Sequence, residues 1–145
     1  AGTQVANAGA NVLDDYEEGE HTATIGGGSI ALHGGADVLS YTKIGRMVHL
    51  SGELQVSSAS GTGTLTISLP FTVGTGNEAS MRFTGTVKVR NIDMDDNTID
   101  LVVFTYESQS VAYIYQNLDN TTELILDAGK ISASDEITIS ITYFA

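Results

Sequence analysis

The chain reads as an all-β protein, an antiparallel β-sandwich of jelly-roll-like type. Three observations predict this. Apolar and polar residues alternate in several stretches, most clearly Val48, Leu50, Leu54 and Val56 against His49, Ser51, Glu53 and Gln55, with Gly52 in the apolar phase. A period of two marks a strand with one face on a core and the other on water or a partner. Turn signals recur at roughly 8–12-residue spacing, the pattern of sandwiches and barrels. No stretch carries the apolar residues three and four apart that a helix needs, and Asn117–Asn120 offers at most a single helical turn.

The length of 145 residues suits one domain with its own core. A hydrophobic content of 41% argues against disorder. There is no Cys, which excludes disulfides and thiolate metal sites, so stability must come from packing or oligomerisation. The net charge of −12, from 18 acidic and 6 basic residues, speaks against nucleic acid and against an anionic membrane surface. Self-repulsion that keeps the protein soluble is the plain reading, and divalent-cation sites among the carboxylates are the sharper one. No apolar run approaches the roughly 20 residues that span a bilayer. The opening Ala1-Gly2-Thr3-Gln4 has neither the basic nor the apolar region of a signal peptide, nor an initiator Met. The expectation is a domain cut from a longer chain, or a processed product.

Taken in order, residues 1–12 are small, polar and low in complexity, and read as a linker or the end of a shaft. Residues 13–145 would form the folded domain. Asp14, Asp15, Glu17, Glu18 and Glu20 surround Tyr16 in what reads as a solvated acidic turn. His21–Ile25 predicts a short strand, Gly26-Gly27-Gly28 a turn, and Ser29–His33 its hairpin partner. Gly34-Gly35-Ala36-Asp37 is a second turn. Ser40–Gly45 reads as a polar, glycine-ended turn leading into the strand that begins at Val48. Ser57–Gly63 reads as a loop, and Thr64–Leu69 as an alternating strand ended by Pro70, which has no N–H to donate. Phe71 should plug the end of the core.

Met81, Phe83, Val87 and Val89 share a face, with Gly85 in phase. Opposite them stand Arg82, Lys88 and Arg90, three of the 6 basic residues, on a solvated face or against an acidic neighbour. Asn91–Asn97 is a carboxylate-rich turn. Ile99–Tyr106 is almost continuously apolar and reads as a strand covered on both faces. Val111–Tyr115, Thr122–Leu126 and Glu136–Tyr143 complete a set of roughly eight to ten strands.

Little here announces catalysis. There is no G-x-S-x-G elbow, P-loop or H-E-x-x-H. The expectation is therefore no enzyme and no cofactor, since no carboxylate pair is singled out for glycoside hydrolysis. His21, His33 and His49 lie apart in sequence and read as exposed or hydrogen-bonded side chains, though a trimer could bring copies of one of them together around a metal. Asp93, Asp95 and Asn97 have the alternating spacing of calcium ligands, but Thr98 and Phe104 stand where an EF-hand needs Gly and Glu. A plain Asx-rich turn is the expectation, with calcium as the lesser reading. Tyr106, Tyr113 and Tyr115 combine an apolar ring with a polar tip, which suits saccharide stacking, protein interfaces and sheet packing alike. Asn117, Asp119 and Asn120 stand close enough in sequence to bond sugar hydroxyls.

Three motifs carry a resemblance. Leu13-Asp14-Asp15-Tyr16-Glu17-Glu18-Gly19, Tyr41-Thr42-Lys43-Ile44-Gly45-Arg46-Met47-Val48 and Leu65-Thr66-Ile67-Ser68-Leu69-Pro70-Phe71 resemble, in order, the LDDYEEG, YTKIGR-x-V and L-x-I-S-x-LPF motifs of bacteriophage tail-fibre and virion-protein C-terminal domains. The resemblance covers residues 13–71. It departs at His21 and Ala23, where that family carries Trp and Pro. It implies a homotrimeric fibre tip on a virion, following a repetitive shaft, that attaches to a host surface glycan or receptor and contacts other virion proteins. Three weak sites on one rigid knob would bind through avidity. A capsid decoration or tail-assembly protein, a free carbohydrate-binding module and, last, a glycan-depolymerising enzyme are the alternatives.

Overall fold

The structure, a computed structural model, describes residues 15–145. The expected linker at residues 1–12 therefore lies outside the described residues, as do Leu13 and Asp14. Eleven strands follow: β1 (Tyr16–Thr22), β2 (Ile25–Gly26), β3 (Ser29–Leu32), β4 (Val38–Ile44), β5 (Met47–Ser60), β6 (Thr66–Ser68), β7 (Phe83–Arg90), β8 (Thr98–Thr105), β9 (Val111–Leu118), β10 (Leu124–Ile125) and β11 (Glu136–Phe144). The helical content among the described residues is one 3-10 turn, Ala128–Lys130, capped by the Asp127 carboxylate accepting from the Gly129 N–H.

All pairings are antiparallel. The strands form one path in the order β1-β4-β5-β11-β7-β8-β9-β6-β2, with β3 added beside β5 and β10 beside β9. The sheet curls into a sandwich-like fold around a single core, as the alternation predicts. From β5 come Val48, Leu50, Leu54 and Val56; from β11, Ile137, Ile139, Ile141 and Tyr143; from β9, Ala112 and Ile114; from β6, Ile67. Residues one position out of phase with these form the outer face.

At one end of the core the Tyr143 hydroxyl donates to the Phe71 carbonyl (3.1 Å) and accepts from the Phe71 N–H (3.4 Å). The Phe71 ring meets Tyr41 edge-on at 5.1 Å, so Phe71 closes the core as expected. Burial pushes the Tyr143 phenol up to about 12.

Several expectations are corrected. Residues 40–44 are strand, not turn: Ser40–Ile44 pair with Met47–Ser51 around a tight hairpin, and the turn is confined to Gly45-Arg46, where Gly45 takes φ +57. The acidic run is solvated as expected, with Glu17, Glu18 and Glu20 exposed, but it is strand and not turn. Tyr16–Thr22 pairs along its length with β4, and the Tyr41 hydroxyl donates to Glu17 (2.6 Å). An edge strand tolerates outward carboxylates because its free side stays in water. The segment His21–Ile25 is split between β1 and β2. β2 and β3 do not form a hairpin, because β2 pairs with β6 and β3 with the far end of β5. That far end reaches Ser60, so most of the expected 57–63 loop is strand. Asn117 and Leu118 belong to β9 rather than to a helical turn. Finally, β8 is covered on both faces only in its second half, since Ile99 is 70% exposed.

Candidate functional site

The outer face of β8 and β9 carries the most distinctive surface. Antiparallel register places Phe104 opposite Tyr113 and Val102 opposite Tyr115. Tyr106 and Asn117 extend the two rows in phase. Val103, Thr105, Ala112, Ile114 and Gln116, the residues between, are buried. A buried inner face thus fixes the outer rings.

Those rings form one cluster. Phe104 meets Tyr106 at 4.7 Å and Tyr115 at 5.8 Å, and Tyr106 meets Tyr113 at 5.6 Å, all edge-to-face. The hydroxyls of Tyr106 and Tyr115 are 2.7 Å apart in a hydrogen bond. The Arg82 guanidinium approaches from the β7 side, 5.4 Å from the Tyr106 ring centre. Burial, then the Tyr106 bond, pushes the Tyr115 phenol up to about 12, with the Glu123 charge adding to the rise. Val102, Phe104, Tyr106, Tyr115, Asn117 and Glu123 line an open depression of about 130 Å³ here.

The structure thus brings together Tyr106, Tyr113, Tyr115 and Asn117 among the residues singled out in the sequence. It does not bring in Asp119 and Asn120. These stand exposed beyond the end of β9, where the Asp119 N–H donates to the Asn97 carbonyl and Asn120 takes φ +59. Phe104, Glu123 and Arg82 were missed as members. Phe104 is in phase with Tyr106 and could have been found by alternation. Arg82 and Glu123 arrive only through strand order.

The carboxylate turn is engaged within the chain. The Asp95 carboxylate accepts from Lys130 Nζ (2.9 Å) through one oxygen and from Gln116 Nε2 (2.7 Å) through the other. The Gln116 carbonyl accepts the Asp95 N–H (2.9 Å) and the Thr98 hydroxyl (3.2 Å). Lys130, then Gln116, holds the Asp95 carboxyl below the usual carboxylate range. Asp93 and Asn97 are exposed beside it.

Among the described residues no three His, Asp or Glu side chains gather as a metal site. His21 Nε2 contacts Ser68 Oγ (2.9 Å), and its partial burial lowers its pKa. His49 Nδ1 contacts Thr142 Oγ1 (2.9 Å), and exposed His33 follows β3. On β7, Arg90 pairs with Glu136 (3.1 Å).

No family model matches the chain, and no curated protein does. Among solved structures the fold is similar to the Dettilon tailspike protein, with a TM-score of 0.73 and 18% identity over 89% of this chain. The chain spans 24% of that protein's length. The class defined is thus an all-β, antiparallel sandwich-like domain of a kind also found in a tailspike.

Proposed function

We propose that this chain is a domain of a bacteriophage tail protein, the tip of a fibre or spike, which attaches the virion to a glycan receptor on the host surface. In this reading it acts without catalysis and without a cofactor, as a homotrimer carried on the particle beside other virion proteins. The observation that carries the proposal is the outward aromatic cluster of Phe104, Tyr106, Tyr113 and Tyr115. Rings with polar tips, half-buried and locked by mutual contact, offer stacking area at low entropic cost. The likeness of fold to a tailspike and the three fibre-tip motifs support the setting.

The test pairs Tyr113→Ala and Tyr115→Ala with host-cell adsorption, a glycan array and light scattering. Binding should fall by about tenfold or more for a lost stacking ring, since about 1.4 kcal/mol is a factor of ten. A lower melting temperature with unchanged adsorption would assign the rings to packing alone. A monomer at all concentrations would remove the trimer and its avidity.

A further inference from the structure

We propose that the depression in the aromatic face takes a single small cation, an alkylammonium or ammonium group borne by a surface glycan. The proposal rests on the receptor reading above and names the group that the site selects.

The lining is chemically one-sided. Three aromatic rings, one aliphatic side chain, one amide and one carboxylate surround the space, and no basic side chain does. Aromatic faces attract cations through their quadrupoles, most strongly where water is partly excluded. One ring of the cluster already makes such a contact within the chain, with the Arg82 guanidinium 5.4 Å from the Tyr106 ring centre. Arg82 approaches from β7, on one flank. Glu123, immediately before β10, stands on the other flank beside β9 and lines the depression that Arg82 does not.

Glu123 has no ion-pair partner among the described residues. Elsewhere Asp95 and Glu136 each hold a cation, so this carboxylate is available to one from outside. The chain's charge of −12 favours approach of a cation from solution as well.

Size narrows the ligand. Sites that enclose a drug-sized molecule measure about 300–1,000 Å³. A space of about 130 Å³ matches one small substituent, with the sugar ring that bears it at the open mouth. That ring would lie outside, against Tyr113 and the exposed turn beyond β9. An amino or N-methylated amino sugar, or a choline substituent, supplies such a group. An N-acetylated sugar has lost the charge.

The experiment titrates the folded protein with choline and with its uncharged isostere 3,3-dimethylbutan-1-ol, following the tyrosine ring signals by NMR. Choline should bind saturably and at least about tenfold more tightly than the isostere, a difference of about 1.4 kcal/mol. Glu123→Gln, at an exposed position, should weaken choline several-fold and leave the isostere unchanged. Glucosamine oligomers should then outbind their N-acetylated counterparts and a lysine-bearing peptide.

Equal affinity for choline and its isostere would overturn the cation assignment. Tighter binding of the peptide than of the amino-sugar oligomer would overturn the glycan source. Loss of host adsorption in Tyr113→Ala and Tyr115→Ala, alongside failure of choline to bind, would sink this inference and leave the receptor reading standing.

Discussion

Replacing Gln116 by Leu should cost more stability than any exposed polar substitution in this chain. Gln116 is fully buried, yet all of its hydrogen-bonding lies on the 91–98 turn: it donates to Asp95 Oδ2 and accepts from the Asp95 N–H and the Thr98 hydroxyl. Leu fills nearly the same space and can make none of these bonds. The lost bond to the charged carboxylate is worth about 1.5–3 kcal/mol. The part-buried Asp95 N–H is left without a partner, at a further cost of about 1–2 kcal/mol. Thr98 keeps its second acceptor, the Asp95 carbonyl at 2.7 Å, and adds little. Burying an apolar chain in place of an amide returns about 1–2 kcal/mol. Taking the middle of each range, the net loss is about 2 kcal/mol. With a urea slope of about 2 kcal/mol/M, the unfolding midpoint should fall by about 1 M. Gln109→Leu, at an exposed loop position, is the control and should stay within about 0.5 kcal/mol. A midpoint for Gln116→Leu as close to wild type as that of the control would refute the argument that this side chain pins the turn to β9.

Two pH dependences follow from the same structure. Tyr143 and Tyr115 are raised to about 12 in the folded state, above the value of 10.0 for a free phenol, so their contribution is complete below pH 10 and is lost as pH rises toward 12. Absorbance titration should show these phenols ionising with alkaline unfolding; six tyrosines all titrating near pH 10 in a folded protein would contradict it. Asp95 shifts the opposite way. Its contribution is present above the unfolded value of 3.8 and is lost as pH falls through its lower folded value. Urea unfolding of the parent and of Asp95→Asn should therefore differ at pH 6 and converge as pH falls below the folded value. A gap that persists unchanged in strong acid would show that the ionised Asp95 carboxylate is not its source.

Much of the fold was legible where inward residues are apolar. β5 and β11 announce themselves because Val48, Leu50, Leu54 and Val56, and Ile137, Ile139 and Ile141, alternate with hydroxyls and charges. β1 and β4 hide because the half-buried positions they share with Leu39 and Tyr41 include Gly19, His21 and Lys43, which the alternation rule does not count as apolar. Their strand character comes from pairing with each other and with β5, information held in two separate segments. The tyrosine face was legible for the complementary reason: Tyr113 and Tyr115 are two apart and interleave with buried Ala112 and Ile114. Asp119 and Asn120 lie near them in sequence and leave the face because β9 ends at Leu118. Glu123 returns to it because β10 folds back along β9, with Leu124 opposite Gln116 and Ile125 opposite Tyr115.

The place of β11 has a consequence for how the chain acquires this structure. The last strand in sequence lies in the interior of the sheet, with β5 on one side and β7 on the other. Met47 is matched with Phe144, and Glu136 with both Gln55 and Arg90, so the β5–β11 ladder joins segments more than half a chain length apart and the β7–β11 ladder closes a long loop as well. Closing such long loops before any contact rewards them makes folding slow. Until Glu136–Phe144 arrives, β5 and β7 each present an unpaired edge, the condition under which nascent β-chains associate wrongly. The domain therefore completes itself only after almost all of its sequence has been made, and its final strand acts as a keystone. A chain shortened by those nine residues would keep every tyrosine of the outer cluster and lose the sheet that presents them.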